Sequence, residues 1–125
     1  MGIRDTSYYG WQNKYSINPE GIINSASFMG IVLDSTGSIY VLGAKVENTG
    51  SISRHNTFVI KSIDKGLRWK EILTITGTAG GVFSNVQCGM NINSNDAIFV
   101  STAMYGSFQM RSSSDYGQSW GTKDL

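Results

Sequence analysis

The chain has 125 residues and a formal net charge of +1, from ten basic and nine acidic residues spread along its length. Charged residues make up only 15% of it and form no basic run, so a surface built to neutralise phosphates, and with it nucleic acid as a partner, is not expected. No apolar run is long enough to span a bilayer, the N-terminal MGIRDTSYYGW lacks the apolar core of a secretory signal, and the single Cys88 cannot close an internal disulfide.

With 15 glycines, one proline and no sustained 3.6-residue apolar period, the chain reads as all-β and turn-rich. Residues 1–24 form an N-terminal segment with one expected outer strand, Trp11 to Ile17. Strands are then predicted near 26–33, 38–44, 57–62 and 67–75, and again near 84–92, 97–103, 107–113 and 118–123. Between the second and third of these lies KVENTGSISRHN, which reads as a polar loop.

The two groups of four are copies of one unit. MGIVLDSTGSIYVLGA (Met29 to Ala44) aligns with CGMNINSNDAIFVSTA (Cys88 to Ala103), and TFVIKSID (Thr57 to Asp64) aligns with FQMRSSSD (Phe108 to Asp115). The spacing between the matched blocks differs by eight residues, all of them in the polar segment of the first copy. Each copy ends its third strand on the same octapeptide, SIDKGLRW (Ser62 to Trp69) and SSDYGQSW (Ser113 to Trp120). Each octapeptide reads as a hairpin turn. Gly66 and Gly117 sit where positive φ is needed. Asp64 and Asp115 are placed to accept hydrogen bonds from turn amides, Ser62 and Ser113 add a second acceptor, and Trp69 and Trp120 wedge an aromatic ring against the sheet.

Ser-x-Asp-x-Gly-x-x-Trp, present twice, resembles the Asp-box, or BNR repeat, of sialidase-like β-propellers, and the likeness covers roughly residues 25 to 123. It implies two four-stranded antiparallel blades, one over 25–75 and one over 76–125. Two blades cannot close a propeller. The chain is therefore expected to be a fragment of a longer protein, to complete a ring with copies of itself (three chains giving six blades is favoured), or to pack its sheets as a sandwich. Met1 and the short tail after Trp120 read as natural ends.

Strand alternation puts the first-to-second turns and both octapeptides on one rim. The second-to-third connections fall on the other, where propellers generally hold ligands. On that rim Glu47, Asn48, Arg54 and His55 are the candidate ligand-binding residues, with Arg54 as a forked donor to a carboxylate and Tyr105 as a stacking platform for a sugar. Sialidase catalysis, by the resemblance, requires three arginines on the substrate carboxylate, a Tyr–Glu pair, an Asp acid and an Arg-Ile-Pro motif. The chain has four arginines in all and no Arg-Ile-Pro. No paired-carboxylate site, catalytic triad, metal spacing or cofactor motif is visible, so no catalytic residue, metal or cofactor is expected. The expected function is a non-catalytic binding or structural module, with glycan recognition in a surface or virion-type assembly. The alternatives are a sialidase-like hydrolase fragment or subunit and a purely architectural protein.

Overall fold

The computed structural model describes residues 23–49, 52–79, 87–104 and 107–124. They form eight strands and no helix: β1 (Ile23–Leu33), β2 (Ile39–Thr49), β3 (Ile52–Ser62), β4 (Lys70–Ala79), β5 (Gln87–Ile92), β6 (Ile98–Met104), β7 (Ser107–Ser113) and β8 (Gly121–Asp124). These build two four-stranded antiparallel sheets, each a simple meander, β1-β2-β3-β4 and β5-β6-β7-β8. Among the described residues no helix is long and apolar enough to cross a membrane. The expected strand Trp11 to Ile17 lies outside the described residues.

Of KVENTGSISRHN, expected as a polar loop, residues 45–49 and 52–56 are instead strand. β2 and β3 stay paired from Ile39↔Ser62 without a break to Thr49↔Ile52, so the extra residues of the first copy lengthen a hairpin. An antiparallel ladder needs only cross-strand backbone bonds to continue, and it can run past the edge of an apolar core.

The repeat seen in the sequence recurs in the registers. Leu33↔Ile39↔Ser62 in the first sheet matches Ile92↔Ile98↔Ser113 in the second, and Ile31↔Val41↔Ile60 matches Met90↔Val100↔Arg111. Each sheet therefore has two comparable faces. One carries Val32, Tyr40, Leu42 and Val59 in the first sheet, and at the equivalent positions Asn91, Phe99, Ser101 and Met110 in the second. The other carries Ile31, Leu33, Ile39 and Val41 in the first, and Met90, Ile92, Ile98 and Val100 in the second.

The core forms between unlike faces. Tyr40, Leu42, Val59 and Ile75 from the first sheet pack with Ile98 and Val100 from the second, flanked by Val32, Leu73, Met90 and Ile92. At its centre Thr57 Oγ1 and Thr102 Oγ1 share a hydrogen bond of 3.0 Å between the sheets. Gly30 lets β1 approach β5: a Cβ built there would lie 3.9 Å from the Met90 Cβ. The sheets thus meet head to tail. A two-fold sandwich would have buried like faces against each other and left like faces outward. This packing leaves one face of each sheet turned outward.

Candidate functional site

The two octapeptides join β3 to β4 and β7 to β8, and they fold alike. Gly66 and Gly117 have φ of 90° and 85°, preceded by Lys65 and Tyr116 at 61°. Ser62 Oγ donates to Asp64 Oδ1 and accepts from the Gly66 amide, each at 2.8 Å; Ser113 does the same with Asp115 and Gly117. The amides of Arg68 and Ser119 donate to Asp64 Oδ1 and Asp115 Oδ1 at 2.8 and 2.9 Å. The second carboxylate oxygens take the Arg68 guanidinium and the Ser119 hydroxyl. These side-chain donors, from Arg68 and from Ser119, are the main reason both carboxyls are held down at about pKa 2, with the amide bonds adding to the effect.

The turns differ in what their tryptophans touch. Trp69 Nε1 donates to the Gly66 carbonyl of its own turn at 3.0 Å. Trp120 Nε1 is shared between its own Gly117 carbonyl, at 3.2 Å, and the Ile72 carbonyl of β4 in the other sheet, at 3.1 Å. Ile72 is the extra residue at a register shift, between Val59↔Leu73 and Ile60↔Glu71, and its side chain reaches Gly117. The second octapeptide is thereby docked on the first sheet.

The same rim gathers the first-to-second turns, as strand alternation requires. Asp34 is 7% exposed and accepts from the amides of Thr36 and Ser38, from Thr36 Oγ1 and from the Tyr40 hydroxyl at 2.8 Å. Burial on its own would raise its pKa. The bonds from Thr36 and Tyr40 outweigh that and lower it. Burial, and then the neighbouring Asp34 carboxylate, push the Tyr40 hydroxyl well above the usual tyrosine range. In the second copy Asn93 caps the equivalent turn through the amides of Asn95 and Ala97, and Phe99 stands where Tyr40 does. Ser35 bonds the Asp96 carboxylate through its amide and its hydroxyl, tying one turn to the other.

Between the two octapeptides lies a cleft of about 690 Å³, lined among others by Lys61, Asp64, Arg68, Trp69, Ile72 and Tyr116. Its central charges are engaged in the fold. Lys61 Nζ donates to the Tyr116 carbonyl at 2.8 Å and lies 5.1 and 5.7 Å from the Tyr40 and Tyr116 ring centroids, and Arg68 pairs with Asp64 at 2.8 Å. The arrangement ties the sheets together.

The residues expected to bind ligand fall at the far end of the long hairpin. Glu47↔Arg54 and Asn48↔Ser53 are cross-strand pairs of β2 and β3, which brings Glu47, Asn48 and Arg54 together along the backbone; their side chains lie outside the described set. His55, paired with Val46 on the same ladder, is half-buried, and burial lowers its pKa. Tyr105 lies outside the described residues. Among the described residues no group of histidine, cysteine and acidic side chains could hold a metal ion.

Arg111 is a feature that sequence reasoning missed. Its register beside Val100 puts it on the face that meets the first sheet. Nη2 donates to Gln109 Oε1 at 2.9 Å, while Nη1 is buried with no hydrogen-bond partner among the described residues. Its counterpart in the first copy is Ile60, and only the choice of buried face, which the sequence does not show, could have revealed it. No family model, curated protein or solved structure gives a significant match to the chain.

Proposed function

We propose that the chain is a non-catalytic Asp-box β-propeller module. It supplies two blades, completes a ring by self-association with three chains as the favoured number, and serves as a binding or structural part of a surface or virion-type assembly. One observation carries the reading. The two sheets pack through unlike faces, so the same contact can be repeated from chain to chain, and a rotation that closes gives a ring. The matched octapeptides add support, since each spends its serine and aspartate on the turn itself. So does the cleft between them, where Arg68 pairs with Asp64 and Lys61 is bonded to the Tyr116 carbonyl.

A glycan is the expected ligand, held on the rim away from the octapeptides by Glu47, Asn48, Arg54 and His55, which share the β2–β3 ladder, with Tyr105 of the second copy as the proposed stacking platform. The test is the full-length protein on a glycan array, with hydrolysis of a fluorogenic sialoside followed in parallel. Binding without turnover is the expected result. Turnover would overturn the non-catalytic reading, and an array without a single bound glycan would reduce the module to architecture.

A further inference from the structure

The faces left outward are the missing halves of the contact already made inside the chain. The first sheet turns out Phe28, Ile31 and Leu33, which are 52%, 63% and 57% exposed, beside Ile39 and Val41. Their counterparts in the second sheet, Met90, Ile92, Ile98 and Val100, are packed into the core. The second sheet turns out Phe99, Met110 and Phe108, the last 46% exposed. Their counterparts in the first sheet, Tyr40, Val59 and Thr57, are the buried surface that covers it. On the same face of the first sheet Phe58, Ile60 and Lys45 are buried, with Lys45 paired to Glu71 at 2.8 Å, so the open apolar surface is the strip along β1 and the start of β2, and a strip of that kind is an interaction surface.

The octapeptides show the same asymmetry. At Gly117 an added Cβ would meet Ile72 of the other sheet at 2.5 Å. At Gly66 it would meet nothing but the turn's own Trp69, at 3.7 Å. Trp120 has its inter-sheet carbonyl, whereas among the described residues Trp69 bonds within its turn.

We infer that the outward face of the first sheet, around Phe28, Ile31 and Leu33, is covered by the outward face of the second sheet of another copy of this chain, around Phe99, Phe108 and Met110. Along β1, the start of β2 and the turns, the contact repeats the one inside the chain. Trp69 of one copy donates to the β8 carbonyl at Lys123 of the next, as Trp120 does to Ile72. Ile31 of one copy lies against Gly89 of the next, as Met90 lies against Gly30. This rests on the ring reading above and names its surface. The polar ties do not repeat. Phe99 has no hydroxyl where Tyr40 has one, Ser112 replaces Lys61, and Gly37 stands opposite Ser94 where Asp96 stands opposite Ser35. Around Phe28, Ile31 and Leu33 the contact between chains is therefore apolar and backbone-bonded, and its strength should change little with salt.

Engineered disulfides test it in the full-length protein with Cys88→Ser as the background. Gly30→Cys with Met90→Cys in one chain is the internal control, since the 3.9 Å between those Cβ positions suits a disulfide. Chains carrying Ile31→Cys and chains carrying Gly89→Cys, co-expressed and oxidised, should give a reducible two-chain band at least tenfold stronger than either variant alone. One chain carrying both should give a ladder that ends at the size of the assembly. If the control closes and the wild type is oligomeric but the mixture does not cross-link, this surface is wrong and the ring reading survives. If the wild type is a monomer, the ring reading itself fails. A monomer whose introduced thiol at position 31 resists alkylation would assign the face to residues 1–22 of the same chain and overturn the proposal.

Discussion

The Ile72 δ-methyl stands 2.5 Å from the point a Cβ would occupy on Gly117, whereas the matching glycine of the first octapeptide, Gly66, has only its own tryptophan within 4 Å. Both glycines have positive φ, so alanine at either position carries the same backbone strain of about 1 kcal/mol. Gly117→Ala must also displace Ile72. It should lower the unfolding free energy more than Gly66→Ala does, and Ile72→Val, which removes the obstructing methyl, should shrink the gap. Denaturant unfolding of the wild type and the two glycine variants, each with and without Ile72→Val, measures this, and equal losses at the two glycines would contradict the docking of the second turn.

The tryptophans offer an independent comparison. Trp120→Phe removes a bond between the sheets and Trp69→Phe removes one within a turn. In a chain kept dilute enough to be monomeric, the first should cost about 1 kcal/mol more than the second. Thermal melts of the two variants at matched low concentration would show the difference.

Tyr40→Phe converts the first copy toward the second, where Phe99 already occupies the position. In the second copy the cap is Asn93, which needs no phenol. In the first, the buried Asp34 loses a donor at 2.8 Å, so the change should cost about 1.5–3 kcal/mol, the range for a hydrogen bond to a charged group. Pairing it with Asp34→Asn should recover part of the loss, read as a non-additive term in a double-mutant cycle.

Acid should loosen the turns in a defined window. Asp64 and Asp115 are held at about 2, mainly by Arg68 and Ser119, and Asp34 is also below its usual value. A carboxyl whose pKa is depressed in the folded state contributes stability above its unfolded pKa and loses that contribution as pH falls through the folded one. Stability should therefore be flat with respect to these groups near neutrality and fall from about pH 4 toward 2. Asp64→Asn and Asp115→Asn should each flatten that fall.

Much of this fold was legible in the residues. Two matched sets of β-branched and aromatic strands, each closed by an octapeptide whose serine, aspartate and glycine make a turn by themselves, are local features, and local chemistry decides them. The long hairpin was not legible. Residues 45–49 and 52–56 are mostly polar yet continue the ladder, and polarity there looks the same as a loop. Nor was it legible which face each sheet buries. Ile31 and Leu33 are outward while Arg111 is inward, because burial is set by the neighbouring sheet and not by the strand's own pattern. The expected ligand residues gained a shared ladder for Glu47, Asn48, Arg54 and His55, a grouping that their order in the sequence only partly implied.

The central claim is that two sheets joined head to tail go on to join another copy the same way, and the mass of the intact protein in solution tests it most directly. Multi-angle light scattering across a concentration series at micromolar protein should give a closed particle of several chains, three being favoured, with a melting temperature that rises with concentration. A mass of 13.6 kDa that does not change with concentration, together with a cooperative melt that does not either, would contradict it.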